Sequence, residues 1–303
     1  MQTVIGWTLG EWHDAYRSGT LTPDIVLTLA AQYAADDNAW IVRARPEQLT
    51  AQLAQLSERL AALGGDIAKL PLYGVPFAIK DNIDAAGWET TAACPEFAYA
   101  PASDASVVAR LRAAGAILMG KTNLDQFATG LVGTRSPYGA VANSFNPAYV
   151  SGGSSSGSAS VVARGLVAFS LGTDTAGSGR VPAGFNNIVG LKPSKGRLSN
   201  TGLVPACRTV DCISVFALTV EDAESVAQVA EGYDASDAYS RASPHTAPVA
   251  VGSAIKLAIP ATLEFFGDAQ NQAVFEQAVE RFKALGALIT PVDFSPFKAL
   301  ADQ

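Results

Sequence analysis

The sequence predicts an α/β fold in which helices are layered around a largely buried sheet. From about residue 70 onwards, short apolar runs alternate with stretches of helical periodicity, which is typical of such layers. The chain has 303 residues, of which 49% are hydrophobic and only 16% are charged. A chain of this size and composition can bury a large interior under a thin polar cover.

Residues 1–70 are expected to form an N-terminal helical segment that packs on the core. Thr22 is expected to cap a helix over residues 25–35, with Pro23 in its first turn. A second amphipathic helix is expected to begin at Pro46 and to end near residue 63, before Gly64 and Gly65.

Residues 71–303 are expected to form the core itself. The apolar runs predict strands, and the periodic stretches between them predict helices. Strands are expected at 75–80, 116–119, 167–171, 256–259 and 287–292, and helices at 105–114, 158–164, 221–231 and 269–285. The polar stretch 234–248 predicts a loop or linker between two lobes.

Charge and cysteine content argue against several classes of partner. The net charge is -7 and no lysine- or arginine-rich run occurs, so neither nucleic acid nor a membrane is expected as a partner. No apolar run reaches transmembrane length. The three cysteines have no metal-binding spacing and are odd in number, which favours a reducing cytoplasm and predicts no metal site.

Three segments indicate a serine hydrolase that works without histidine. Two are the serine-rich loops Ser151-Gly-Gly-Ser-Ser-Ser-Gly-Ser158 and Gly172-Thr-Asp-Thr-Ala-Gly-Ser-Gly-Arg180. The third is Lys80, a lone lysine at the end of an apolar strand. A serine hydroxyl needs an adjacent base, and burial can lower the pKa of a lysine until it is neutral near pH 7. His13 and His245 are the only histidines, so a Ser-His-Asp triad stays open as an alternative.

Each segment also has a simpler interpretation when it is taken alone. The loop at 151–158 is typical of a flexible linker or a phosphate-binding loop, although it lacks the Gly-Lys-Ser/Thr ending of the latter. Many glycine-rich turns like the one at 172–178 carry no chemistry, and Lys80 can be a surface lysine at a strand end.

Together the three segments resemble the amidase signature family, whose members use a Ser-cisSer-Lys triad. The family signature runs from a Gly-Gly-Ser loop to a Ser-x-Arg-x-Pro segment. This sequence has Gly152-Gly-Ser-Ser-Ser-Gly157 and Ser178-Gly-Arg-Val-Pro182. The resemblance is strong over about residues 70–220 and implies a mixed β-sheet covered by helices on both faces.

The resemblance implies a role for each residue that matches the signature. It makes Ser178 the nucleophile, Ser154 the bridging serine on a cis peptide after Gly153, and Lys80 the base. It assigns the oxyanion hole to the backbone N–H groups of Thr175, Ala176, Gly177 and Ser178. It implies that no metal or organic cofactor is needed.

The same resemblance implies which residues line the pocket. Ala128, Thr129 and Gly130 are expected along its wall, and Thr173 near the serines. An anionic substrate calls for a facing cation, and the candidates are Arg135 and Arg180. Either arginine can instead be a structural hydrogen-bond centre.

Within the family the sequence is most similar to the allophanate hydrolase branch. Gly179 follows the nucleophile where most members have a branched aliphatic residue, and segments 90–95, 123–139 and 204–217 also match that branch. The implied function is hydrolysis of allophanate, with release of ammonia, in urea or s-triazine (cyanuric acid) nitrogen catabolism by a cytoplasmic homodimer. Three alternatives remain: another small-amide amidase, a glutaminyl- or asparaginyl-tRNA amidotransferase component of the A type, and a non-catalytic binding or assembly module.

The resemblance also implies that the domain continues past residue 303. In the resembling enzymes a tyrosine and an arginine that hold the substrate carboxylate come after the position where this sequence ends. We therefore expect the core over 71–303 to be incomplete at its C-terminal end.

Overall fold

A computed structural model describes residues 6–34, 36–242 and 255–302 of the chain. These residues belong to two compact units, Met1–Ser243 and Pro244–Gln303. The division falls inside the stretch 234–248 that was predicted as a linker, of which residues 243–248 lie outside the described part. Residues 6–70 belong to the first unit together with the sheet that follows them.

The described part of the first unit contains one sheet and seven α-helices, of which α1 and α2 precede the first strand. Its helices are α1 (Leu9–Arg17), α2 (Ile25–Gln32), α3 (Pro46–Ala62), α4 (Ser106–Ala113), α5 (Ser156–Ala163), α6 (Val181–Phe185) and α7 (Val220–Ala230). Its strands are β1 (Trp40–Arg43), β2 (Pro76–Lys80), β3 (Ile117–Thr122), β4 (Phe169–Asp174), β5 (Val189–Leu191) and β6 (Cys212–Ala217).

The sheet has six strands in the order β1-β3-β2-β4-β6-β5 and is mixed, as expected. The three central strands β3, β2 and β4 are parallel, while β1, β6 and β5 pair antiparallel to their neighbours. Neighbouring parallel strands end at the same edge of a sheet. The C-terminal ends of β2 and β4 therefore lie side by side.

The central strands are covered on both faces. Every residue of β2, β3, β4 and β6 is buried. Because successive side chains of a strand point to opposite faces, full burial requires cover on each side. Phe77 of β2 stacks on Phe169 of β4, with ring centroids 5.2 Å apart.

The N-terminal helices share the hydrophobic core of the sheet. Trp12 of α1, Val26 of α2 and Leu49 of α3 belong to the same buried cluster as the central strands. Helix α3 begins at Pro46, and two glycines with positive φ follow its end, as predicted.

The cap predicted at Thr22 is wrong. Pro23 and Asp24 form a turn before α2, so the helix begins only at Ile25. Asp24 occupies the N-cap position and makes no side-chain capping bond.

The second unit contains a parallel strand pair joined by a helix. Strands β7 (Lys256–Pro260) and β8 (Leu288–Val292) pair in parallel, with α8 (Ala269–Ala284) between them in sequence. A crossover helix is the usual connection between parallel strands. Helix α9 (Ser295–Ala301) follows β8.

Candidate active site

Three parts of the first unit bring the predicted catalytic segments together. Lys80 is the last residue of β2, and Asp174 is the last residue of the neighbouring strand β4. The serine loop leads directly into α5, which packs against both strands. Adjacent parallel strands and a helix that packs on both of them thus join segments that are far apart in sequence.

Lys80 is fully buried and contacts two hydroxyl groups. Its Nζ lies 2.8 Å from Ser154 Oγ and 2.6 Å from Thr173 Oγ1. Burial lowers the pKa of Lys80 from 10.5 to about 7. A lysine that is neutral near pH 7 has a free electron pair, so it can accept a proton from Ser154.

Three carboxylates oppose the effect of burial on the pKa of Lys80, and each has donors of its own. Their charges favour the ammonium form, and they belong to Asp125, Asp174 and Asp211. Asp125 accepts backbone N–H groups from Gly133 and Arg135 at 3.0 and 2.9 Å. Hydrogen bonds of this kind stabilise the charged form of a carboxylate. Burial nevertheless outweighs the three charges, because the pKa of Lys80 stays near 7.

Ser154 is held in a tightly packed loop. The peptide bond between Gly153 and Ser154 is cis, as expected. The carbonyl of Ser154 accepts the N–H of Asp125 at 3.1 Å. A Cβ on Gly153 would lie only 2.2 Å from Asp125 Oδ2, so the loop requires glycine at this position.

Asp174 organises the turn that carries Ser178. Its buried carboxylate accepts the N–H groups of Gly177 at 2.9 Å, Gly179 at 3.0 Å and Arg180 at 3.2 Å. The guanidinium of Arg180 also donates to it through Nε and Nη2, each at 2.9 Å. The carboxylate therefore fixes the residues on both sides of Ser178.

One of the four backbone N–H groups predicted to bind an oxyanion already donates to a carboxylate of the protein. The N–H of Gly177 is directed to Asp174, which corrects its place among the predicted oxyanion donors. The hydrogen bonds of the described residues leave the N–H groups of Thr175, Ala176 and Ser178 as candidates. The hydroxyl of Thr175 donates to Asp211 Oδ1, which anchors the start of the turn.

Ser178 itself is buried, with 2% of its surface exposed. Among the described residues, no hydrogen bond joins its hydroxyl to Ser154. The direct hydrogen-bond chain in the structure is therefore Ser154–Lys80–Thr173, and Ser178 lies at the neighbouring turn.

The two candidate arginines have different surroundings. Arg180 is paired with Asp174 through two of its nitrogens, so it is a structural hydrogen-bond centre. Arg135 is exposed, and its Nη1 lies 3.3 Å from the carbonyl oxygen of Thr129. Of the two, only Arg135 therefore contacts the segment predicted as the pocket wall.

The predicted wall segment has an unusual backbone. Phe127 and Ala128 have positive φ angles of 51° and 56°, and Ala92 and Ala93 have values of 51° and 58°. The N–H of Phe127 donates to the carbonyl of Ala92 at 2.9 Å, so the two turns are joined. Non-glycine residues in this region are concentrated at functional sites.

Gly130 follows in the same segment. A Cβ there would lie 2.7 Å from Asp125 Oδ2, so the wall packs directly on that carboxylate. Asp125 thereby contacts both the wall and the loop of Ser154.

The histidine alternative gains no geometric support. His13 lies in α1, where burial lowers its pKa and its charged neighbours are Arg17, Asp14 and Asp222. None of these belongs to a serine loop. His245 lies outside the described residues.

Sequence reasoning missed the roles of Asp174 and Asp125. The signal for Asp174 was its position inside a glycine-rich turn, where a carboxylate can accept several backbone N–H groups. Asp125 carried no recognisable signal, because its donors Gly133 and Arg135 reach its carboxylate only through the fold of the intervening loop.

Within residues 6–34, 36–242 and 255–302, no three His, Cys, Asp or Glu side chains gather as a metal site would require. In the same described ranges, no helix is both long and apolar enough to cross a membrane.

Comparison with known proteins identifies the family. A profile described as Amidase matches residues 24–302. The chain belongs to the Amidase family. This Amidase-family chain is 49% identical to the urea amidolyase of Saccharomyces cerevisiae, over 98% of its own length and 16% of that protein.

Two further relatives cover much of the chain. The allophanate hydrolase structure of Kluyveromyces lactis is 48% identical with a TM-score of 0.92, over 99% of this chain and 49% of that chain. A glutamyl-tRNA(Gln) amidotransferase component from Methanospirillum hungatei is 41% identical over 75% of this chain and 54% of its own length. The chain therefore spans 16% of the yeast urea amidolyase and about half of the other two.

Proposed function

We propose that this chain carries the catalytic centre of an amide hydrolase acting on allophanate. Lys80 is the base, Ser154 relays the proton, and Ser178 is the nucleophile. The observation that carries the proposal is the 2.8 Å hydrogen bond between the fully buried Lys80 Nζ and the hydroxyl of Ser154.

The reaction begins when Ser178 Oγ attacks the amide carbonyl of the substrate. The proton of Ser178 passes to Ser154, and the proton of Ser154 passes to the neutral amine of Lys80. A base whose pKa is near the working pH is efficient in both directions, because it can also return the proton. The pKa of about 7 for Lys80 meets this requirement.

The turn after β4 stabilises the tetrahedral intermediate. The N–H groups of Thr175, Ala176 and Ser178 are the proposed donors to its negative oxygen. Asp174 holds the turn in place through Gly177 and Arg180, so the donors need no rearrangement during the reaction. One preorganised donor typically contributes about 3–4 kcal/mol to such a step.

The intermediate collapses with release of ammonia. Protonated Lys80 returns its proton through Ser154 to the leaving nitrogen, and the carbonyl carbon stays bonded to Ser178 as an acyl-enzyme. Water, deprotonated through the same relay, then attacks the acyl group and frees the serine. The products are ammonia and a carboxylated carbamate.

The anionic end of allophanate requires a cation. Of the two candidate arginines, Arg180 is paired with Asp174, so Arg135 beside Thr129 is the candidate that we propose. Ala128, Thr129 and Gly130 are the proposed pocket wall, and the hydroxyl of Thr173 accepts a hydrogen bond from Lys80 Nζ. The similarity to allophanate hydrolase at 48% identity supports this choice of substrate.

We further propose that this protein is a cytoplasmic homodimer in urea or s-triazine nitrogen catabolism. Free cysteines at positions 94, 207 and 212 suit a reducing compartment. A net charge of -7 argues against nucleic acid as a partner. The homodimer is inferred from the family resemblance, and measurement of molar mass in solution tests it.

Ammonia release by the purified chain tests the function. We expect release from allophanate, loss of that release in Ser178→Ala, and unchanged release in Ser194→Ala, an exposed serine chosen as the matched control. Release no faster than in Ser178→Ala would contradict the proposal and favour a binding or assembly module. Release from glutamine but not from allophanate would favour the amidotransferase alternative.

A further inference from the structure

A second buried lysine lies beside the strand of the base. Lys121 of β3 has no exposed surface, and the same is true of Asp81, the residue that follows Lys80. Lys121 Nζ lies 3.1 Å from Asp81 Oδ1. A buried ion pair is costly to form, so its position next to the base requires an explanation.

The strand register separates this pair from the base. Ile79 lies opposite Lys121, and Lys80 lies opposite Thr122. Because side chains alternate between faces, Asp81 and Lys121 belong to the face of Ile79, whereas Lys80 belongs to the other face. The side chains of the ion pair and the side chain of Lys80 therefore project from opposite faces of the sheet.

Hydrogen bonds to neighbouring backbone and hydroxyl groups hold both members of the pair in place. Lys121 Nζ donates to the carbonyl of Glu89 at 3.0 Å and to Thr90 Oγ1 at 2.7 Å. Asp81 accepts the N–H of Thr91 at 2.9 Å and also its hydroxyl. Neither charge can move away from its partner without breaking these bonds.

Other titratable groups face this pair from the neighbouring loop. Asp84 accepts the hydroxyls of Thr90 at 2.8 Å and of Tyr99 at 2.6 Å. Burial and the contact with Asp84 raise the pKa of Tyr99, which keeps the phenol neutral. The charged group that faces the ion pair from this loop is therefore Asp84.

Each carboxylate around Lys80 has donors that hold its charge. Asp125 is bound by backbone N–H groups, Asp174 by Arg180 and its turn, and Asp211 by Thr175 and the N–H of Cys207. An unmatched buried carboxylate at position 81 would favour the ammonium form of the adjacent lysine.

We propose that Lys121 is a positioning residue for the base, because it neutralises Asp81 and so keeps Lys80 uncharged. The inference rests on the proposed role of Lys80. This proposal predicts the direction of each change in the pKa of Lys80. Removal of Lys121 should raise that pKa, and removal of the Asp81 charge should lower it. Removal of both should return it to the wild-type value.

The test is an NMR titration of Lys80 in the whole chain with ¹³C-labelled lysine. Its side-chain signal is assigned by its loss in Lys80→Met, and its pKa is measured in wild type, Lys121→Met, Asp81→Asn and the double variant. We expect a rise of about one unit in Lys121→Met, a fall in Asp81→Asn, and a near-wild-type value in the double variant. A purely structural role predicts the same pKa for Lys80 in every folded variant.

Equal pKa values in all four proteins would overturn the inference. If Lys121→Met does not fold, the comparison of Asp81→Asn with the double variant decides, since a lower pKa is expected in Asp81→Asn alone. A wild-type Lys80 that titrates like free lysine would instead contradict the proposed function. The two failures are thus distinguishable.

Discussion

Replacing Asp174 by asparagine tests how the turn of Ser178 is held. The wild-type carboxylate accepts three backbone N–H groups and two guanidinium nitrogens. Asparagine keeps one oxygen, which can still face Gly179 and Arg180. Its NH₂ group then faces the N–H of Gly177, which places a donor against a donor.

The structure sets the size of the expected effect. One buried N–H left without an acceptor costs about 1–3 kcal/mol of unfolding free energy. The lost ion pair adds little, because the Arg180 side chain is 56% exposed and water can solvate it. Displacement of Gly177 also shifts the adjacent N–H of Ser178. We therefore expect kcat to fall about 10²–10³-fold, as for loss of an oxyanion donor.

Urea unfolding and ammonia release measure the two effects on the same protein. Arg180→Met is the matched control, because it removes the guanidinium but leaves the carboxylate with its three backbone donors. Arg180→Met should lower the unfolding free energy by less than about 1 kcal/mol. A kcat for Asp174→Asn within tenfold of wild type would refute the claim that Asp174 holds the catalytic turn.

Acid dependence provides a second readout of the same carboxylate. Burial tends to raise the pKa of Asp174, but hydrogen bonds from Arg180, Gly179 and Gly177 outweigh it and hold the pKa below 3.8. A lowered folded-state pKa stabilises the protein at pH values above 3.8, and this contribution is lost as the pH falls through the folded-state pKa. The unfolding free energy of Asp174→Asn should therefore fall less than that of wild type as the pH is lowered below 3.8.

Two further predictions follow from the site. For wild type, kcat/KM should rise with pH through an apparent pKa of about 7, because protonated Lys80 cannot accept a proton; a flat profile between about pH 5 and 9 would argue against this base. Gly153→Ala should lose both activity and thermal stability, since the new Cβ would meet Asp125 Oδ2 at 2.2 Å. Gly184→Ala is the control, with nothing within 4 Å of the added Cβ, and equal melting temperatures for the two variants would contradict this packing argument.

The long elements of the fold could be predicted because their patterns are local. Helix α8 and strand β2 carry clear periodicity or a clear apolar run, and both were predicted within a residue or two. Strand β5 was missed because three residues with a central glycine carry too little pattern. Strand β6 was also missed, although it is as apolar and as fully buried as β2.

The sequence predicted which residues belong to the site, but not the geometry of its backbone and hydrogen bonds. Motif resemblance predicted Lys80, Ser154 and Ser178 as the catalytic residues, but neither composition nor spacing reveals a cis peptide. The acceptor for Gly177 depends on where the carboxylate of Asp174 points, which only the folded turn determines. The pairing of Lys121 with Asp81 depends on the register between β2 and β3.

The central claim is that a neutral lysine replaces histidine as the base. Its most direct test is ammonia release from allophanate by Lys80→Ala beside Lys69→Ala, an exposed lysine that serves as the control. We predict a loss of about 10²–10⁴-fold for Lys80→Ala and wild-type turnover for Lys69→Ala. Wild-type turnover in a correctly folded Lys80→Ala variant would contradict the claim.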